Sequence, residues 1–175
     1  ADDILSEIIE RRNEDIKSKG FDFGFEIPQN RTRRIHPFLL EKGVILEVKR
    51  ASPSKGDIAI NLDSYKTAKT YAKAGAKAIS CLTEINYFKG NLGDLMNVCR
   101  AADDFEKETG KNPPAVLRKD FLTCTEDIEI SYRAGADAVL LIARILSSNQ
   151  ILEMAQKAKA LGLSMLIEVR CQEDL

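Results

Sequence analysis

The sequence contains few of the residue types on which many enzymes depend. Its 175 residues include no tryptophan and a single histidine, His36. One histidine leaves little room for a Ser-His-Asp triad or for a metal site built from several imidazoles. If the chain is catalytic, its proton transfers must therefore be carried by lysine, glutamate and aspartate.

Cysteines and long apolar runs are also scarce. The four cysteines are Cys81, Cys99, Cys124 and Cys171. They contain no C-x-x-C pair and fit no zinc spacing, so free thiols in a reducing compartment are expected. No apolar run approaches the roughly 20 residues that span a bilayer. The charged N-terminus also lacks the apolar core of a signal peptide. We therefore expect a cytoplasmic protein that does not enter a membrane.

Neither sign of charge is in excess. Lysine and arginine total 26 against 27 for aspartate and glutamate, so the formal net charge is −1. This balance argues against nucleic acid or an anionic membrane as the main partner, although it allows a local basic pocket for a small anion. The apolar fraction of 44% and the charged fraction of 30% are typical of a soluble globular domain.

Apolar and amphipathic segments alternate along most of the chain. The predicted strands cover residues 44–49, 77–83, 115–121, 138–144 and 164–169. The predicted helices between them cover residues 61–74, 91–109, 125–134 and 147–161. Nearly apolar strands, each followed by an amphipathic helix, indicate a parallel α/β sheet. Ahead of them we expect an N-terminal helix and an irregular lead-in over residues 19–42 that contains a short helix.

A weak internal repeat supports this arrangement. Gly75, Gly135 and Gly162 each follow a predicted helix and precede a predicted strand, where glycine supplies the left-handed conformation that ends a helix. No G-x-G-x-x-G or G-x-x-x-x-G-K-[ST] motif follows a strand, which disfavours a nucleotide-binding open sheet. The alternative built from the same units is the (β/α)8 barrel, although only five strands can be counted.

Ionisable residues lie near the carboxyl ends of three otherwise apolar strands. Glu47 and Lys49 end the first, Lys119 the third and Glu168 the fifth. Because alternate residues of a strand share a face, we expect these four side chains to converge where barrel enzymes carry their active sites. A charge at a strand end can also simply mark the exit to solvent, but the repetition in three strands favours a site. The loop over residues 50–56 suits an anionic substrate, or is a plain surface turn.

Several segments together resemble one enzyme family. Residues 47–56, EVKRASPSKG, resemble the sequence that leaves the first barrel strand of indole-3-glycerol-phosphate synthases. Segments resembling the family's later strand motifs follow in order and with matching spacing at residues 82–90, 117–121, 137–142 and 166–169. The likeness implies an α/β fold, a (β/α)8 TIM barrel truncated here to about five βα units. Residues 1–43 would form an N-terminal helical extension, and residues 44–175 the incomplete barrel.

The resemblance also implies a reaction. The family is a carboxy-lyase of tryptophan biosynthesis that needs no metal or organic cofactor. It closes the ring of 1-(2-carboxyphenylamino)-1-deoxyribulose 5-phosphate, with loss of CO2 and water, to give indole-3-glycerol phosphate. Lys119 matches its general acid, Glu168 the group that transfers a proton in the dehydration, and Glu47 a further catalytic carboxylate. The positions matching substrate contacts are Lys49, Ser52, Phe88, Phe121 and Leu141.

Other interpretations remain open. Lys119 could be the nucleophile of a Schiff-base aldolase of the same fold. The chain could also be a non-catalytic half-barrel that assembles through unpaired sheet edges. Two local features depart from the family: Arg170 after the fifth strand, and Thr123-Cys124-Thr125 before the fourth predicted helix. We expect the full-length enzyme to be monomeric, and the 175-residue chain alone to be inactive and to self-associate.

Overall fold

Five parallel strands form the central sheet of the computed structural model, which describes residues 2–38 and 42–169. They are β1 (Ile45–Val48), β2 (Ala78–Leu82), β3 (Ala115–Lys119), β4 (Ala138–Ile142) and β5 (Ser164–Glu168). The strands lie in sequential order and every neighbouring pair is parallel. The predicted parallel α/β fold is therefore confirmed, as part of a barrel that does not close within the described residues.

The helices lie close to their predicted bounds. They are α1 (Asp2–Lys19), α2 (Ser64–Lys73), α3 (Leu92–Thr109), α4 (Thr125–Ala134) and α5 (Ser148–Leu161). Side chains cap three N-termini: Asp63 caps α2, while Asn91 and Ser147 form capping boxes on α3 and α5. Among the described helices, none is both long and apolar enough to cross a membrane.

The two faces of the sheet carry different side chains. On one face, Val139 and Leu141 pack against Ile128 of α4 and Met154 of α5. On the other face, Leu117, Leu140 and Ile142 form a separate cluster with Phe121 and Leu166. We call this second face the inner face. β4 is buried along its whole length, so this strand is apolar on both faces, as parallel strands usually are.

The lead-in between α1 and the sheet differs from its prediction. Its described part, residues 20–38 and 42–44, contains no helix, and residues 39–41 lie outside the described residues. Its polar groups bind the start of β4 instead: the His36 backbone N–H and Arg33 Nη1 both donate to Asp137 Oδ1, at 2.8 and 2.9 Å. Arg31 donates to the backbone oxygens of Tyr132 and Ala136. Residues 20–25 are held by local turn hydrogen bonds, whereas Arg31, Arg33 and His36 find partners in the barrel.

Candidate active site

Three of the predicted site residues form a charged cluster at the carboxyl end of the sheet. Lys119 Nζ donates to Glu47 Oε1 at 3.0 Å, and Lys49 Nζ lies 3.8 Å from Glu47 Oε2. Glu47 belongs to β1 and Lys119 to β3, and β2 lies between them in the sheet. The two side chains can meet only because both project from the same face, which the alternation of residues in each strand predicts.

Glu168 reaches the same place from β5. It shares with Lys119 and Leu140 the lining of two cavities, of about 430 and 190 Å³. Ile45, Leu117 and Leu166 contribute apolar surface to the larger cavity. The structure therefore brings Lys119 and Glu168 together on the inner face, beside an apolar wall.

An aromatic pair lines the smaller cavity. The ring centroids of Phe88 and Phe121 are 6.0 Å apart with their planes tilted by 39°, and both rings face the cavity that Lys119 and Glu168 also line. Leu5, from helix α1, completes this wall. A flat apolar ring bound in this cavity would lie close to Lys119 and Glu168.

Leu141 does not lie at this site. Its side chain is fully buried between the sheet and helices α4 and α5, whereas Leu140 and Ile142 line the cavities. The predicted position is thus one residue out of phase, because a strand that is apolar on both faces carries no alternation to read. The strand register shows which residues of β4 face the site. Ile142 pairs with Glu168 across β4 and β5, so Ile142 and Leu140 lie on the same face as Glu168.

Ser52 lies in a short hairpin of the loop after β1. Ala51–Ser52 pairs with Gly56–Asp57, and Ser52 Oγ accepts a hydrogen bond from the Lys55 backbone N–H at 3.2 Å. Ser52 is not among the residues that line the two cavities. The hairpin is tied to the loop after β2 by Lys89 Nζ, 2.6 Å from Asp57 Oδ1.

Glu84 holds the loop that carries Phe88, a role that no sequence pattern predicted. Its buried carboxylate accepts hydrogen bonds from the backbone N–H groups of Asn86, Tyr87 and Phe88, at 2.6 to 2.9 Å. Burial raises the pKa of Glu84, and the three N–H groups oppose that rise. Gly90 closes the loop where a Cβ would lie 1.9 Å from the Leu82 carbonyl oxygen.

Behind Lys119 lies a buried polar network that the sequence analysis missed. Arg12 of α1 contacts Asp120 Oδ1 at 3.1 Å and Asp127 Oδ1 at 2.8 Å. Asp120 Oδ2 accepts from Thr83 Oγ1 at 2.6 Å and lies 3.3 Å from Arg118 Nη2. Burial alone would raise the pKa of Asp120, but the Arg12 and Arg118 guanidiniums hold it below its ordinary value. Asp120 is therefore an ionised carboxylate enclosed by cations.

Comparison with known proteins assigns the chain to a family. The sequence model of indole-3-glycerol phosphate synthase matches residues 5–175. The chain belongs to the indole-3-glycerol phosphate synthase family. The resemblance that the strand motifs suggested is thereby confirmed, and with it the barrel to which the five strands belong.

Individual relatives support the assignment to the indole-3-glycerol phosphate synthase family. The chain is 42% identical over 133 residues to the indole-3-glycerol phosphate synthase of Desulfosudis oleivorans, covering 76% of this chain and 47% of that protein. It is 35% identical over 175 residues to the synthase of Bacillus cereus, covering 98% of this chain and 64% of that protein. It is also 43% identical over 132 residues to a multifunctional tryptophan biosynthesis protein of Schizosaccharomyces pombe, covering 75% of this chain and 17% of that protein. The chain therefore spans less than two thirds of each of these relatives.

Proposed function

We propose that this protein is an indole-3-glycerol phosphate synthase, a carboxy-lyase of tryptophan biosynthesis. Its substrate would be 1-(2-carboxyphenylamino)-1-deoxyribulose 5-phosphate, and its products indole-3-glycerol phosphate, CO2 and water. One observation carries the proposal: Lys119, paired with Glu47 at 3.0 Å, shares an apolar cavity with Glu168. An acid and a second proton-transfer group beside an apolar wall are what this ring closure requires.

In the first step Lys119 acts as the general acid. The aromatic carbon that bears the carboxylate attacks the ketone carbon of the ribulose chain, and the carbonyl oxygen takes a proton from the Lys119 ammonium as the new bond forms. Loss of CO2 then returns the electron pair of the broken bond to the ring. Glu47 holds the Lys119 amine at the cavity by its 3.0 Å contact, so that little reorganisation is needed at the moment of transfer.

In the second step Glu168 moves a proton during dehydration. The hydroxyl group made in ring closure leaves as water after receiving a proton, and a proton is lost from the neighbouring ring carbon. Lys119 and Glu168 line the same cavity, so one can donate while the other accepts. Phe88, Phe121 and Leu140 would pack on the aromatic ring, while Lys49 and Ser52 would bind polar groups of the substrate.

We also propose that residues 1–43 form an N-terminal extension to a barrel that begins at residue 44, and that the enzyme acts as a monomer in the cytoplasm. The three cysteines of the described residues, Cys81, Cys99 and Cys124, are free thiols, which suits a reducing compartment. Sedimentation of the full-length protein tests the oligomeric state.

The test of the reaction is Lys119→Met in the full-length protein. Methionine keeps an apolar stem and removes the acid, so turnover should fall by about 100- to 10,000-fold while the circular dichroism spectrum stays unchanged. Lys157→Met is the control, because Lys157 pairs with Glu129 on the outer helices and should keep normal turnover. Near-normal turnover of Lys119→Met would refute the role. If borohydride reduced a Schiff base between Lys119 and a ketose phosphate to a stable covalent adduct, the result would favour an aldolase instead.

A further inference from the structure

Helix α1 places a charged side chain underneath the predicted site. Arg12 is only 2% exposed, and its guanidinium lies between two buried carboxylates. Nε contacts Asp120, and Nη1 and Nη2 both contact Asp127. Its planar fork satisfies both carboxylates at once, which a lysine ammonium cannot do with the same geometry.

Asp120 is the residue through which this contact reaches the site. It stands between Lys119 and Phe121 and lines the smaller cavity with both of them, and its Oδ1 also accepts the Phe121 backbone N–H at 2.7 Å. Thr83 holds the same stretch from β2, with its hydroxyl on Asp120 Oδ2 at 2.6 Å and its N–H on the Lys119 carbonyl oxygen at 3.2 Å. Asp120 thus binds the Phe121 amide directly, and Thr83 links Asp120 to the Lys119 carbonyl oxygen.

We propose that Arg12 is a positioning residue for the reaction: by holding Asp120 and Asp127 it sets the placement of Lys119 and Phe121 at the cavity. The inference rests on the proposed function, since it takes Lys119 as the acid. Arg12 itself does not line either cavity. Its effect is on geometry, where a displacement of about 1 Å can cost about 100-fold in rate.

Removal of Arg12 would leave Asp120 with Arg118 as its guanidinium partner and the Asp127 carboxylate with the Thr123 N–H. Arg118 is fully buried and contacts Asp120, Thr83 and the Asp127 carbonyl oxygen. One guanidinium for two carboxylates is an unbalanced buried charge, and structures relieve such imbalance by moving the groups or admitting water. The movement would occur next to Lys119.

The experiment compares Arg12→Met with Arg33→Met in the full-length protein. Arg33 is the control because its side chain is also largely buried and also bridges two carboxylates, the partly exposed Asp103 and the buried Asp137, but at the opposite end of the strands. We expect Arg12→Met to lower kcat by about 10- to 100-fold with KM within about twofold. Arg33→Met should lower Tm by a similar amount and keep kcat. Arg12→Lys should recover part of the lost kcat.

A second readout does not depend on activity. Hydrogen exchange of the Phe121 amide, which is bound to Asp120, should accelerate in Arg12→Met and not in Arg33→Met. If Arg12→Met does not fold, Arg12→Met with Asp127→Asn removes the excess negative charge and takes its place. Equal kcat losses in the two arginine variants, or unchanged Phe121 exchange in Arg12→Met, would overturn the inference. If wild-type protein made no indole-3-glycerol phosphate, the proposed function would fail, while the exchange result would still decide the positioning of Phe121.

Discussion

At the scale of single residues, β4 carries neighbouring side chains that face the candidate site and the helix-covered core in turn. Leu140 and Leu141 are adjacent and chemically identical, yet Leu140 lines both cavities and Leu141 packs between the sheet and its helices. The difference follows from the alternation of side chains along a strand. The same substitution at the two positions should therefore affect different properties.

Leu141→Ala is expected to lower the free energy of unfolding by about 2–5 kcal/mol, because it leaves a cavity in a closely packed cluster. It should leave KM close to that of wild type. Leu140→Ala removes apolar surface from the cavity wall and should raise KM. Denaturant unfolding and steady-state kinetics on the two full-length variants check this. A larger rise in KM for Leu141→Ala would mean that the face assignment is reversed.

Glu47 gives a second prediction at this scale. Glu47→Gln keeps the shape of the side chain but replaces its charge-assisted contact with Lys119 by a weaker neutral one. We expect a fall in kcat with little change in stability, because the pair is partly exposed and such pairs contribute about 0–1 kcal/mol. Glu129→Gln, which weakens the Lys157 pair on the outer helices, is the control. Steady-state kinetics and thermal unfolding measure the two effects. Equal kcat values for Glu47→Gln and Glu129→Gln would contradict the role of Glu47.

At the scale of elements, the segments ahead of the sheet bind its two ends. Helix α1 reaches the carboxyl ends of the strands through Arg12, and the lead-in binds the opposite end through Asp137. Burial alone would raise the pKa of Asp137, but His36 and Arg33 hold it below its ordinary value of 3.8. A carboxylate with a depressed pKa contributes stability above its unfolded-state pKa, and that stability is lost as pH falls through the folded-state value.

The stability of the full-length protein should therefore decrease as pH falls below about 4, in part because Asp137 takes up a proton. Asp137→Asn should be less stable than wild type at pH 7, and the difference between the two should shrink on the acid side. Glu106→Gln, which alters an exposed pair with Arg34, serves as the control and should follow the wild-type curve. Urea unfolding at a series of pH values measures these differences. A constant wild-type–Asp137→Asn difference across the series would contradict the assignment.

At the scale of the whole molecule, the described sheet has two open sides. Within residues 2–38 and 42–169, β1 and β5 each pair with a single strand, and Ile45 and Ile167 are 40% and 48% exposed. Barrel enzymes often bind phosphate at the loops after the seventh and eighth strands. The described five-stranded sheet therefore carries the groups proposed here for proton transfer, Lys119 and Glu168, without the seventh and eighth strands.

A polypeptide of these 175 residues alone is accordingly expected to show no measurable synthase activity and to self-associate through its open edges. Positioning can account for roughly 7–11 kcal/mol of a catalysed barrier, so loss of the phosphate site should be decisive. The check is to supply the C-terminal part of the Bacillus cereus relative as a second chain and to assay both samples. Equal turnover with and without the second chain would show that further strands are not needed.

Much of the site could be predicted because each of its charged residues belongs to a short, recognisable strand pattern. Glu47, Lys119 and Glu168 each lie at or next to the carboxyl end of a mainly apolar strand, and alternation alone indicates that they share a face. The phase of β4 could not be read in this way, because Val139, Leu140 and Leu141 are equally apolar. The contacts of Arg12 were also out of reach, since its partners Asp120 and Asp127 lie 108 and 115 positions further along the chain.

The sequence by itself determined the order of helices and strands, the family and the charged residues of the inner face, because periodicity and short motifs depend on neighbours along the chain. The tertiary structure alone decided which leucine of β4 faces the cavity, how Glu84 shapes the loop carrying Phe88, and that Arg12 lies behind Lys119. It also decided that residues 20–38 of the lead-in contain no helix. These features depend on packing between distant segments, where a buried polar group must find its partner wherever the fold brings one.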